Sequence, residues 1–250
     1  MGNSYVLRIF QIQPIPMEVN NMVLISISNL SLVYDGLRIA NPFRFPERLR
    51  FKALEIDDFV IKDGEILALM GHNGAGKSTL LNAIAGKMRP REGSIRVNGT
   101  TIHLSTVDPG FDPNLSPRQN LLWLSKIYAC DSDRVISSVE EFSDIGEAFD
   151  RPIRTLSGGM RGRVGFGFAT SLKPQILLID EVLGVGDPSF KAKATRRLEE
   201  MMKRTGIVII STHSVGLVKS IASRVSVLEN GCLVHDGDVE KGLTIYSSIK

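Results

Sequence analysis

The feature that most narrows what this chain can fold into is a strand pattern running straight into a glycine-rich turn. Glu65 to Met70 is a short, nearly continuous apolar run, the pattern of a strand covered on both faces. Gly71-His72-Asn73-Gly74-Ala75-Gly76-Lys77-Ser78 follows, and a helix is predicted from about Lys77 to Ala85. Strand, GxxxxGK[ST] turn and helix together form a phosphate cradle. Successive backbone N–H groups can converge on phosphate oxygens only where glycine tolerates unusual φ and ψ. The helix N-terminus adds partial positive charge. Lys77 supplies a full charge to β and γ phosphates, and Ser78 can place its hydroxyl on Mg²⁺. The candidate nucleotide-binding stretch is Gly71 to Thr79, with His72 in a variable position of the turn.

The remaining pattern is that of an α/β protein. Val23 to Leu30 and Ala53 to Ile61 read as strands, the latter ending in a Lys62-Asp63-Gly64 turn. Gly93–Val97 and Thr101–Ser105 flank an Asn98-Gly99 turn. Apolar strands at Gln175–Ile179 and Gly206–Ile210 enclose a helix from about Phe190 to Arg204. A helix, two strands and a last helix after Asp238 complete the chain. Strands alternating with helices predict a parallel-sheet core. Pro117 to Ala148 carries helical spacing broken near Cys130, so a helical subdomain is predicted over about 115–172.

The 250 residues leave room for one large domain or two small ones, and 43% hydrophobic with 23% charged residues suits a globular core. The balance of 30 basic against 27 acidic residues is too mild to point to nucleic acid. Cys130 and Cys232 lie far apart, which gives no zinc pattern. No apolar run reaches the roughly 18 residues of a membrane span. Residues 1–22 lack the layout of a signal peptide and read as a loosely ordered extension, or the product of a start upstream of Met22; the nucleotide-binding domain is expected over 23–250.

Two further motifs carry chemistry. Ile176-Leu177-Leu178-Ile179-Asp180-Glu181 ends an apolar strand in two carboxylates, and ligands of parallel sheets sit at the carboxyl ends of strands. Asp180 there suits Mg²⁺, and Glu181 is placed to orient and polarise an attacking water. Leu156-Ser157-Gly158-Gly159-Met160 opens a helix. Ser157 caps it, and Gly158 and Gly159 leave backbone N–H groups bare at its positive end, making a second anion cradle. One phosphate loop needs no second cradle for its own nucleotide, so this one is expected to serve a γ-phosphate held by another subunit, in an isologous dimer.

The Leu156–Met160 stretch resembles the signature motif of ABC ATPases. That resemblance implies a P-loop NTPase core with a parallel sheet, a small antiparallel β subdomain and an inserted helical subdomain, binding ATP and Mg²⁺. It further implies that His213, in Ser211-Thr212-His213-Ser214, contacts the γ-phosphate, that Asp187 lies in the loop crossing the dimer seam, and that Tyr34 stacks on adenine. Lys77, Glu181 and His213 are the catalytic candidates. His72, His103 and His235 read as bystanders.

The stretches Asp180–Asp187 with Phe190-Lys191, and Ser157–Arg161 with Arg163–Gly167, are similar to ATP-binding subunits of bacterial exporters of O-antigen, capsule or teichoic acid. The resemblance implies a homodimer on the cytoplasmic face of the inner membrane, bound to a permease pair that handles the polysaccharide. Two departures stand out. The loop Asp108–Pro113 has no glutamine where most ABC ATPases carry one, with Asp112 in its neighbourhood, and Met160 replaces the common signature glutamine. The stretch after His213 is expected to finish the nucleotide-binding fold without an appended sugar-binding domain. Asn41 to Lys52, basic with interleaved aromatics, reads as a solvated loop or a membrane-facing segment. Two other functions fit the same ATPase. One is an importer subunit, disfavoured by the missing glutamine. The other is a soluble ABC ATPase acting on nucleic acid or ribosomes, disfavoured by the small net charge and the lack of coiled coils or tandem cassettes.

Overall fold

A computed structural model describes residues 23–38, 47–104, 109–180 and 188–249. These residues form two compact units. One holds 104, 109–174 and 188–205; the other holds 23–38, 47–103, 175–180 and 206–249.

The larger unit is built on one sheet. Its strands are β1 (Leu24–Arg38), β2 (Glu47–Ile56), β3 (Phe59–Lys62), β4 (Ile66–Gly71), β5 (Glu92–Asn98), β6 (Thr101–Leu104), β7 (Ile176–Ile179), β8 (Ile207–Ser211), β9 (Arg224–Glu229) and β10 (Cys232–Gly237). The order is β3-β1-β2-β10-β9-β4-β8-β7-β6, with β5 also on β1. The β4–β8, β4–β9 and β7–β8 pairs are parallel, whereas β1 pairs antiparallel with β2, β3 and β5. The helices of this unit are α1 (Lys77–Ile84), α6 (Val215–Ile221) and α7 (Val239–Ser248).

Why β4 reads as a continuous apolar run is visible in its packing. Leu67 and Leu69 enter a core shared with Leu80, Leu81 and Ile84 of α1 and with Ile25, Ile27 and Leu54 of the antiparallel strands. Ala68 and Met70, pointing the other way, join Val218 of α6 and Leu243 and Tyr246 of α7. Both faces are covered, so the alternation expected of a half-exposed strand disappears. β1 keeps that alternation: Ile25 and Ile27 are fully buried between half-buried Leu24, Ser26 and Ser28.

The predicted strand Ala53–Ile61 is two strands. β2 begins upstream at Glu47, and Asp57 and Asp58 separate it from β3. The Asn41–Lys52 segment is therefore not a loop throughout: Glu47–Lys52 pairs with β1, Phe51 opposite Tyr34, while residues 41–46 lie outside the described part.

The helical unit contains α2 (Pro117–Ile127), α3 (Ser132–Ser143), α4 (Gly158–Ser171) and α5 (Pro188–Met202), with two 3₁₀ turns at Gly146–Asp150 and Ile153–Thr155. A capping box starts α2: the Ser116 hydroxyl accepts from Gln119 N–H at 3.3 Å, and the Gln119 side chain accepts from Ser116 N–H at 2.9 Å. Asp131 caps α3. Leu121, Leu124, Val139, Phe149, Val164 and Phe168 form its core. α5 is tied in by Arg197, which donates to Ser138 at 2.7 Å and to Thr170 at 2.9 Å and lies over the Phe142 ring.

Candidate functional site

The glycine-rich turn joins β4 to α1 at the carboxyl edge of the parallel strands, beside an open cleft of about 600 Å³. That volume falls in the range of small-molecule sites. Gly76 shows why glycine is needed here. Its φ is 107°, and a Cβ would stand 2.5 Å from Leu54 Cδ2. The turn is buttressed from outside the motif. The tight turn between β9 and β10 places Asn230 and Gly231 at positive φ, and Gly231 N–H donates to the Ala75 carbonyl at 3.1 Å. Gly76, at the N-cap of α1, has no side chain to cap it, and among the described residues the positive end of the helix is left to a ligand.

Lys77 is buried and curled back on its own loop. Its ammonium donates to the carbonyls of Gly71 at 2.7 Å and His72 at 2.9 Å, and lies 3.4 Å from His213 Nε2. His213 follows β8, and its Nδ1 is 2.9 Å from the Tyr246 hydroxyl. His72 Nε2 contacts the Ile249 carbonyl at the end of α7. Tyr34 is 45% exposed at the cleft, with its hydroxyl 3.2 Å from Thr79 Oγ1, so its ring is open to a planar partner.

Ser78 and Asp180 line the same cleft. A hydroxyl and a carboxylate are the hard oxygen donors that suit Mg²⁺. Ser211, at the end of β8, also lines it, and its buried hydroxyl has no hydrogen-bond partner among the described residues. An orphaned hydroxyl beside Asp180 and the uncapped helix end fit a polar ligand or its hydration water. The residues present thus fit a nucleotide with its metal.

The structure adds residues that the sequence reading passed over. His103, read as a bystander, is buried on β6, and its Nδ1 lies 3.2 Å from the Lys87 ammonium. Burial above all, then the Lys87 charge, pushes its pKa down to about 4, against a smaller opposing effect of Asp180. Burial also lowers the Lys87 pKa, again partly offset by Asp180. The Asn230-Gly231 turn and Tyr246 were equally silent. A turn that buttresses another loop and a tyrosine near the chain's end carry no local signature.

In the helical unit, Ser157 caps α4 by accepting from Met160 N–H at 3.2 Å. Gly158 and Gly159 are exposed, and a Cβ at Gly158 would meet nothing within 4 Å. The start of α4 is thus open to an anion. Asp112 is occupied locally: its carboxylate accepts from Asn114 N–H at 2.8 Å, and its own N–H donates to Asn120 Oδ1 at 2.7 Å. Glu181 and Asp187 lie outside the described residues.

The ABC transporter family matches residues 54–184, from the end of β2 through the acidic pair. The chain belongs to that family. Its fold is accordingly an α/β P-loop ABC ATPase fold, and the comparison with solved structures agrees. An ATP-binding subunit of an ABC transporter superposes with a TM-score of 0.68 at 23% identity, covering 90% of this chain and 93% of the other. Among curated ABC proteins, an O-antigen export system ATP-binding protein of Klebsiella pneumoniae is 35% identical over 207 residues, covering 82% of this chain and 84% of its own. A polysialic acid transport ATP-binding protein of Escherichia coli is 36% identical over 199 residues, covering 78% and 87%. Among the described residues of this ABC protein, no helix is long and apolar enough to cross a membrane.

Proposed function

We propose that the chain is the ATP-hydrolysing subunit of a polysaccharide exporter, working as a homodimer beneath a separate membrane permease. The observation that carries the ATPase reading is the cleft itself: Lys77, Ser78 and Asp180 open onto one space beside the uncapped end of α1. The polysaccharide reading is supported by the export functions named for the O-antigen and polysialic acid relatives.

In this reading the loop Gly71–Thr79 and Lys77 hold the phosphates, and Tyr34 stacks on the adenine. Lys77 leaves the Gly71 and His72 carbonyls to do so, exchanging two neutral acceptors for anionic ones. Ser78 and Asp180 would hold Mg²⁺, which would neutralise phosphate charge. Glu181 polarises the attacking water, and His213 donates to the γ-phosphate. The Ser157-Gly158-Gly159 cradle of a second copy approaches the same γ-phosphate, with Asp187 at the seam, so ATP binding favours the closed dimer and hydrolysis releases it. The helical units carry that closure to the permease.

Glu181→Gln leaves ATP binding intact and slows hydrolysis by at least about 10²-fold. Near-normal turnover removes Glu181 from this role. Cells carrying only that variant accumulate undelivered lipid-linked glycan at the cytoplasmic face. If the wild-type chain instead copurifies with nucleic acid and with no multi-span protein, the export reading is wrong.

A further inference from the structure

One hydroxyl in the wall of the cleft is left unpaired by the fold. On the face of the sheet that bears α1, β8 presents Ile207, Ile209 and Ser211, and β7 presents Ile176 and Leu178 ahead of Asp180. Ile207, Ile209, Ile176 and Leu178 all join the core under α1. Ile176 pairs with Ile207, Leu178 with Ile209 and Ile179 with Ile210, so the same parallel register carried one residue further sets Asp180 beside Ser211. On its other side Ser211 is in register with Leu69, two residues before the phosphate loop begins at Gly71. Both rows thus change from apolar to polar at one level, and both polar residues line the cleft with Lys77 and Ser78.

Ser211 is 1% exposed, and its hydroxyl has no hydrogen-bond partner among the described residues. Neighbouring buried hydroxyls are occupied by the fold. Thr212 Oγ1 accepts from Ser214 N–H at 3.1 Å, and Ser226 Oγ on β9 donates to Asp236 at 2.8 Å. A buried hydroxyl without a partner destabilises the empty protein, and alanine or valine would extend the apolar row without that penalty. The fold does not account for the serine, whereas a ligand in the cleft does. What that ligand presents follows from the neighbouring carboxylate. A group lying between Asp180 and Ser211 must bring protons. A phosphate oxygen brings none and is repelled by the carboxylate. A water polarised by a metal brings two, one for each side. A carboxylate has about four lone-pair sites, so Asp180 can accept one of these protons alongside other partners.

We propose that Ser211 is a positioning residue that accepts a hydrogen bond from a water on the nucleotide's divalent metal, sharing that water with Asp180. Its hydroxyl touches neither the metal nor a phosphate. The proposal rests on the reading of Ser78 and Asp180 as the residues that hold Mg²⁺.

The test uses the full-length chain, Mn²⁺ in place of Mg²⁺ and a fluorescent, non-hydrolysable ATP analogue, with free Mn²⁺ read from its EPR signal. Ser211→Ala binds Mn²⁺ in the analogue complex roughly 3- to 10-fold more weakly, as loss of one hydrogen bond allows. Binding of the analogue in excess EDTA stays within about twofold of wild type. Ser211→Thr binds Mn²⁺ more tightly than Ser211→Val, which has the same shape and no hydroxyl. Without ligand, Ser211→Ala unfolds at the wild-type denaturant midpoint or above it. The proposal is overturned if Ser211→Ala holds Mn²⁺ as wild type does while Asp180→Asn holds it weakly, or if the threonine and valine variants bind it equally. It is also overturned if alanine weakens analogue binding as much in EDTA as with metal, which puts the hydroxyl on the nucleotide itself. A lower midpoint of the empty alanine variant overturns it too, by giving the hydroxyl a partner within the fold. Wild-type Mn²⁺ affinity in both Ser211→Ala and Asp180→Asn instead places the metal elsewhere, and so identifies the reading beneath as the one at fault.

Discussion

His103 should make this protein acid-sensitive well above the carboxylate range, and His103→Leu should remove that sensitivity. The ring is buried, its Nδ1 faces the Lys87 ammonium, and Asp180 only partly offsets the effect of both. The folded state therefore refuses a proton until about pH 4, whereas the unfolded chain accepts one near the ordinary 6.5. A folded pKa below the unfolded value means stability is complete above pH 6.5 and is lost as pH falls toward 4. Between pH 7.5 and 5.5 the linkage relation gives a loss of about 1.3 kcal/mol, which levels off at about 3.4 kcal/mol well below pH 4. The assay is urea unfolding at pH 7.5, 6.5 and 5.5 in buffer free of nucleotide and Mg²⁺. Wild type and His103→Leu are compared by how stability changes with pH rather than by its level. Leucine also removes the buried Nε2 that has no hydrogen-bond partner among the described residues, and that changes the level alone. Every other group is common to both proteins and cancels in the comparison. Equal pH slopes for the two proteins would show that His103 is charged in the folded state or solvated, and would refute the argument.

Two packing predictions test how the site's supports are built. Asn120 is fully buried, accepts from Asp112 N–H and donates to the carbonyls of Asp112, Leu115 and Ser116. Asn120→Leu leaves these groups without that partner and should cost about 2–4 kcal/mol in denaturant unfolding, and an unchanged midpoint would contradict it. Gly242→Ala places a methyl 2.6 Å from Val225 Cγ1 and 2.8 Å from its Cβ. It should destabilise by about 1–3 kcal/mol and speed amide exchange throughout α7, whereas wild-type exchange there would show that α7 does not depend on this close approach.

What the sequence made legible is what local chemistry dictates. The phosphate loop was readable because its glycines answer a demand made within the loop, as Gly76 shows where a Cβ would strike Leu54. The start of α4 was readable for a similar reason: Ser157 caps the helix that Gly158 and Gly159 begin. The parallel strands were readable because covering both faces leaves no room for polar residues. The start of β2 was not. Arg50 and Lys52 alternate with exposed Phe51, and what makes this stretch a strand is its pairing with β1, which side-chain character does not record. The merging of β2 and β3 into one strand failed because Asp57-Asp58 is a weaker stop than glycine or proline.

The supports of the catalytic candidates were hidden by distance along the chain. Tyr246 lies 33 residues beyond His213 and meets it only because β9, β10 and Gly242 set α7 down on the sheet. His103 looks like any polar residue in a strand until β6 and the stretch after α1 bring it to Lys87. Motifs name the groups that touch a ligand, since the ligand imposes the same geometry wherever it binds. The groups that hold those residues in place answer to one fold's packing, and any of several side chains could serve. His213 is therefore met by a tyrosine that no motif around His213 would have supplied.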